Sequence, residues 1–561
     1  MASLLIAGVA TLVVFYVLIL IIGVAAARCC KVNGSNSGSG SGSEVRESEE
    51  AVVAGRSLHG FVGAMTMIAT TVGGGFINGT AESITTSGLV WTISPFAITI
   101  GLTIGGLVFA GPMRNARYLT MLQPVEEKYG RLVVFLVYLA SLCGDIFWTA
   151  SILNALGTSL SVVMGLTVET AILVSAGVTI LYTMIGQMIS VAYTDVAQLL
   201  FMTVGLVLCL PFIATNERVG NFADHTDRWT GQFEESIASP WIDLALAMIF
   251  GTIPWQSYFQ RVLSVRSSTQ AQCLSVIAGF AALLFAVPPF LIGAYSTVAD
   301  WSNSTLTNGL DPVSSNQSSM VLPLMLKEFT PTAVSIVGLG AVSAAVMSSM
   351  DSAVLGSSSM FTHNVYKATI HSKASDRELL WVQRISIFVI GAAATAMSIY
   401  VRTVWGLFVL AADIVYVIVL PQLTSALFIR HTNAYGAFAA FFVGAVLRIG
   451  AGEPTIDLPA FIKYPYFDEE RQEQVFPFRG IAFLASILCL VLVSWIVGLC
   501  FKKGVLPSRC DVLGGEGEGD IYVVNAANLP DAAGGKSRHL TSKTDYVRET
   551  YLLHNTGRSK V

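Results

Sequence analysis

Four carboxylates stand where a carboxylate is expensive. Asp145, Asp195, Asp351 and Asp413 each lie in or at the edge of a long apolar run. An ionised acid in hydrocarbon costs about 3 kcal/mol or more, so such residues persist where they hold an ion, relay a proton or pair with a cation. Asp351 follows Ser348-Ser349 and precedes Ser352, and its run offers no Lys or Arg to neutralise it. Hydroxyls and main-chain carbonyls around one carboxylate make an all-oxygen set suited to a small hard cation. Asp195 leaves two readings open, an ion ligand or a helix-end cap, and Asp413 reads as structural. Two tryptophans, Trp148 and Trp255, also lie within apolar runs, and ring faces of this kind hold organic cations. Trp91 and Trp405 fall near run ends, where interfacial anchoring is the commoner role. The sequence offers no nucleophile–base constellation, phosphate loop or metal-ligand spacing, which argues against an enzyme.

These residues need a scaffold, and the composition says which. Of 561 residues 53% are hydrophobic and 12% charged, half the charge of an ordinary soluble chain, and mean hydropathy is +0.66. The excess apolar surface predicts an all-α polytopic membrane protein. With a net charge of −4, a nucleic-acid partner has no support. Runs of about 20 apolar residues predict thirteen spans, at 4–27, 58–82, 88–111, 133–163, 168–188, 190–214, 240–262, 274–297, 323–361, 381–401, 405–428, 434–450 and 481–501. The run 323–361 is too long for one straight span, so part of it is expected as a surface helix. Two spans are broken. The second contains Thr70-Thr71-Val72-Gly73-Gly74-Gly75 and the seventh Gly251-Thr252-Ile253-Pro254. Non-helical backbone at membrane depth is tolerated only against a cavity or buried protein. The breaks are five spans apart, as in a five-plus-five inverted repeat, and paired breaks of this sort point to a transporter's central site.

The Lys/Arg bias of short loops orients the chain. Arg28 and Lys31, Arg114 and Arg117, Arg261 and Arg266, Lys367 and Lys373, and Lys502 and Lys503 share one side if the N-terminus is extracellular and the C-terminus cytoplasmic. The sequons at Asn303 and Asn316 then fall in an extracellular, glycosylated loop, 298–322. Residues 1–502 form the predicted transmembrane domain, with 32–50, rich in Gly and Ser, as a cytoplasmic linker. Residues 503–561 are polar, carry Gly-Gly-Glu-Gly-Glu-Gly at 514–519, and read as a disordered cytoplasmic tail. Leu552-Leu553, near Glu549, has the form of a sorting signal for an endocytic adaptor, although dileucines also arise by accident. The eight cysteines show no pairing pattern, and a disulfide framework is not expected.

Four stretches carry a resemblance: Val72 to Glu82, Ser190 to Gln198, Ile253 to Ser264 and Gly338 to Ser349. Through them nearly the whole chain resembles the sodium/solute symporter family, and within it the choline-carrying branch. The resemblance implies a LeuT-like fold with an extra N-terminal helix, and sodium-coupled, chloride-dependent import of choline across the plasma membrane for acetylcholine synthesis, with presynaptic membrane or synaptic vesicles as the expected location. It implies a sodium site built from backbone at Ala69 and Val72 and from Ala345, Ser348 and Ser349, with a second sodium region at Asp195 and Asp351. It also implies an aromatic cage for the ammonium group. Trp148 and Trp255 match cage positions, whereas Thr71, Ile98 and Phe408 stand where a tryptophan, a tyrosine and a tryptophan are expected. A missing ring face removes about 0.5–2 kcal/mol of cation binding. The alternative is therefore the same machine with a different small organic solute, or a weak choline carrier.

Overall fold

The computed structural model describes scattered positions between 14 and 25, then residues 51–185, 188–233, 238–470, 472–507 and 511–513. Most of the expected first span, the linker, most of the tail and Leu552-Leu553 lie outside the described residues. The contact pattern separates residues 1–522 as one compact unit from 523–561, and everything below concerns the former.

Among the described residues the chain is helical, and extended pairing is limited to isolated bridges. Each apolar run after the first is met by a helix or a helix pair. They are α1 (Gly60–Thr71), α2 (Gly74–Ser87), α3 (Leu89–Asn115), α4 (Gln123–Met164), α5 (Val168–Ile185), α6 (Met188–Ala214), α7 (Ala238–Gly251), α8 (Gln256–Ser264), α9 (Ser268–Ser296), α10 (Val321–Glu328), α11 (Thr332–Ile370), α12 (Asp376–Tyr400), α13 (Val404–Phe428), α14 (Ala434–Gly450) and α15 (Phe478–Lys502). Among the described residues eight are long and apolar enough to cross a membrane, nine if the bent pair α1/α2 counts as one span. The run 323–361 divides, as its length requires, at Phe329–Pro331. The detached α10 is not a surface helix, because its side chains from Val321 to Leu326 are buried.

The two breaks are where the glycines and the proline put them. α1 and α2 meet at 45°. Val72 leaves the helical region and Gly73 is extended, with φ −98° and ψ −171°. A Cβ on Gly73 would lie 1.6 Å from Ser349 Oγ, and one on Gly74 would lie 2.3 Å from Val346 Cγ2. Only glycine lets this backbone press against α11. α7 and α8 part at Thr252–Trp255, where Pro254 supplies no donor and Trp255 is extended. Gly251 is wedged against α13, since a Cβ there would lie 2.3 Å from the Ala412 carbonyl oxygen. α3, α11 and α13 each include a π-helical stretch, at Gly105–Ala110, Phe361–Ile370 and Val415–Val419, a distortion frequent near functional sites. Outward-facing Leu173, Val204, Leu284, Phe388 and Leu484 are exposed, as lipid contact requires.

Candidate ion and solute site

The two breaks face one cavity of about 60 Å³, walled by α1, α3, α4, α13 and the α7/α8 junction. At roughly 10–15 Å³ per water this is room for a few waters, hence for a solute of few non-hydrogen atoms. All five residues expected at the solute site line it: Thr71, Ile98, Trp148, Trp255 and Phe408. The rings of Trp148 and Trp255 stand 4.9 Å apart at 59°. Trp255 is fixed by its indole N–H, which donates to the Gly251 carbonyl at 2.6 Å, so the break that frees this backbone also orients the ring. The Thr71 hydroxyl donates to the Met67 carbonyl at 2.8 Å, which commits its polar end to α1. Ile98 is buried at 3% exposure. The cavity lining contains no carboxylate and one cation, Arg261, whose charge is paired with Asp195, so an organic cation there would depend on ring faces and backbone dipoles.

Beside this cavity the expected sodium residues meet, in two sets. Ser349 Oγ donates to the Thr70 carbonyl at 3.1 Å and approaches that of Ala69 at 3.5 Å. Ala345 lies on the same wall, with its carbonyl 3.7 Å from the Cβ position of Gly73. Ser348 points elsewhere, donating to Asp195 Oδ1 at 2.5 Å. Asp351 accepts from Thr183 at 2.5 Å, and its Oδ2 has no partner. The first set presents oxygens from α1 and α11 at the unwound turn. The second presents carboxylates and hydroxyls from α5, α6 and α11.

Asp195 is not a helix-end cap. It sits well inside α6 at 0% exposure and accepts hydrogen bonds from Thr66, Ser348 and Arg261. Arg261 is likewise not a loop cation. It is fully buried on α8, pairs with Asp195 at 3.3 Å, and donates to Ser352 Oγ at 2.5 Å and to the Ser257 carbonyl at 3.1 Å. Ser352 Oγ also lies 3.0 Å from Thr70 Oγ1. Arg114 is buried too, donating to the carbonyls of Val265 and Arg266. Two cations used to orient the chain are therefore internal. A signal for Arg261 existed: a nine-residue helix after the Pro254 break spans about 14 Å, too short to leave a core about 30 Å thick.

The other singled-out residues have separate roles. Asp413 is structural, held by Arg448 at 2.8 Å and Arg479 at 2.7 Å. Burial works against the charge of neighbouring Glu453, in the loop after α14, but the Arg448 guanidinium at 2.5 Å, Thr455 and Arg479 together outweigh it and hold that carboxyl below its ordinary value. Trp405 opens α13, and Glu82, which was not singled out, secures that end. Its Oε2 accepts the N–H groups of Val404 and Trp405, and its Oε1 accepts from Thr403 and Ser318, an acid at a helix N-terminus. Asn303 and Asn316 are exposed in the loop between α9 and α10 and take no part in the cavity. Among the described residues no His, Cys, Asp and Glu cluster could hold a metal ion.

Two broken helices enclosing an ion-ligand region define a sodium-coupled secondary transporter. The sodium:solute symporter family model matches residues 51–444, and the chain belongs to that family. It is 46% identical to high-affinity choline transporter 1 of Drosophila melanogaster, over 90% of this chain and 81% of that one. It is 42% identical to the Homo sapiens high affinity choline transporter 1, over 90% and 87%. Among solved structures, a substrate-bound, outward-open Na+-coupled sialic acid symporter superposes with a TM-score of 0.68 at 17% identity, covering 87% of this chain and 98% of that one. The fold class is the LeuT-like one expected.

Proposed function

We propose that the chain is a sodium-coupled symporter that imports choline or a closely related small quaternary amine. The observation that carries this reading is the Trp148–Trp255 pair, two ring faces set by the second break in a cavity without a carboxylate. The names of the Drosophila and human relatives support it. In this reading Trp148, Trp255 and Phe408 contact the ammonium group, while Thr71 and Ile98 form the remaining wall. One sodium ion takes the carbonyls of Ala69, Val72 and Ala345 with the hydroxyl of Ser349, while Ser348, which the resemblance also assigns to that ion, turns to Asp195 in the second set. A second occupies the Asp195–Asp351 region. Coupling follows from geometry, because Ala69 and Val72 belong to the turn adjoining Thr71. An ion bound there holds the bend that shapes the solute cavity.

The proposal extends to chloride dependence, to a plasma-membrane or presynaptic location with the N-terminus outside, and to glycosylation at Asn303 and Asn316. A specific observation favours a second reading. The wall formed by Thr71 and Ile98 offers a methyl and an aliphatic side chain where ring faces would hold choline, which suits another small organic solute carried by the same machine. Uptake of labelled choline, betaine, carnitine and a sugar into cells expressing the full chain, with sodium or with an impermeant cation, separates the two. Saturable sodium-dependent uptake of choline alone supports the first reading. Sodium-dependent uptake of another solute, with none of choline, overturns it in favour of the second.

A further inference from the structure

Of the four acids Asp145, Asp195, Asp351 and Asp413, Asp145 alone has neither a cation partner nor a place in the sodium region, whereas Asp243 of α7 is held by Arg479. It lies inside α4 at 3% exposure, and its Oδ2 has no hydrogen-bond partner. No Lys, Arg or His of the described residues pairs with it. An unpaired carboxylate buried at this depth is too costly to be idle.

What faces it is the second observation. Ser357 of α11 stands beside Asp145 and beside the Tyr138 hydroxyl, yet its buried Oγ makes no well-formed hydrogen bond. That is unusual on this helix. A helical Ser or Thr by default bonds back to a carbonyl three or four residues earlier, and Ser343, Ser352, Ser358, Ser359 and Thr362 all do so. The exceptions Ser348 and Ser349 turn to the sodium region. Ser357 is a further exception and turns to Asp145. Thr149, one turn beyond Asp145 on the same face of α4, is also fully buried with an unpartnered hydroxyl, although Thr158 and Ser159 on that helix bond back.

We propose that Asp145, Ser357 and Thr149 form an additional site for a small monovalent cation, sodium, between α4 and α11. A carboxylate with hydroxyls is a hard oxygen donor set, and an ion would satisfy all three orphan groups together. Ser357 is six residues past Asp351, about 9 Å further along α11, toward the end that leads into Lys367 and Lys373. The site is placed to receive the coupling ion after it leaves the Asp195–Asp351 region. The inference rests on sodium coupling but not on the identity of the solute.

The test is the thermal stability of the purified full chain, without organic solute, as sodium replaces an impermeant cation. Ligand binding raises stability by mass action. Asp145→Asn is expected to raise the sodium concentration for half-maximal stabilisation by about tenfold, the usual scale for a broken ligand shell. Ser357→Ala is expected to shift it in the same direction by less, and it covers the case in which Asp145→Asn fails to fold. Unchanged sodium curves in both variants overturn the site while leaving sodium coupling intact. A wild-type chain that sodium does not stabilise overturns both. Unchanged sodium curves with an altered pH profile of uptake would make Asp145 a proton site and overturn the proposal.

Discussion

Replacing Asp195 by Asn tests whether the ion pair with Arg261 is a buried, coupled unit. Both side chains are at 0% exposure and 3.3 Å apart. At an effective dielectric of about 20 their attraction is roughly 5 kcal/mol, set against the desolvation of both charges. Removing one partner leaves the other buried and unpaired, at a typical cost of about 3–5 kcal/mol. Ser352 Oγ and the Ser257 carbonyl still accept from Arg261, so the lower part of that range is expected. Neutralising both, with Asp195→Asn and Arg261→Met, removes the uncompensated charge and should recover about 4 kcal/mol relative to the sum of the single changes, which leaves the double variant about 2 kcal/mol below the wild type. Melting midpoints of the detergent-solubilised chain in sodium-free buffer give the order directly: wild type highest, the double variant next, each single variant lower. A double variant no more stable than its worse parent would refute the pairing, as would Asp195→Asn melting with the wild type.

Three further outcomes follow from the same geometry. Thr71→Trp with Ile98→Tyr should lower the choline concentration for half-maximal uptake, by about fivefold to a thousandfold for two ring faces at about 0.5–2 kcal/mol each; no gain from the pair would remove the cage argument. Ser349→Ala, which deletes the hydroxyl on the Thr70 and Ala69 carbonyls, should raise the half-activating sodium concentration by about tenfold or more, as read from uptake against sodium at saturating solute. Gly74→Ala should abolish uptake, because its Cβ would fall 2.3 Å from Val346 Cγ2, and Val346→Ala in the same chain should restore part of it.

The breaks were legible in the sequence because glycine and proline act locally. A Gly-Gly-Gly run and a Gly-Thr-Ile-Pro stretch weaken a helix locally, and here both mark breaks, although Pro211 stays within the continuous α6. The ring pair and the Ser348-Ser349 dipeptide came from tryptophans and an acid lying within apolar runs and from the family resemblance. Asp413 read correctly as structural, but its partners Arg448 and Arg479 come from α14 and α15, which no local spacing reveals. Arg261 was misread for a related reason. A cation at the end of an apolar run looks like a loop residue, and only the three-dimensional approach of Asp195 makes burial tolerable. Glu82 was not singled out because its partners are backbone N–H groups more than 300 positions away. The family resemblance put Ser348 with Ser349 in one sodium site, although neighbours on a helix point about 100° apart and here the two face different partners.

Accumulation of labelled choline in proteoliposomes carrying the full chain tests the central claim most directly. With sodium high outside and absent inside, choline should rise inside above its external concentration, then fall back when a sodium ionophore collapses the gradient, and Trp255→Ala should reduce the peak at least tenfold. Equilibration without accumulation, or accumulation indifferent to the ionophore, would contradict sodium-coupled transport through this cavity.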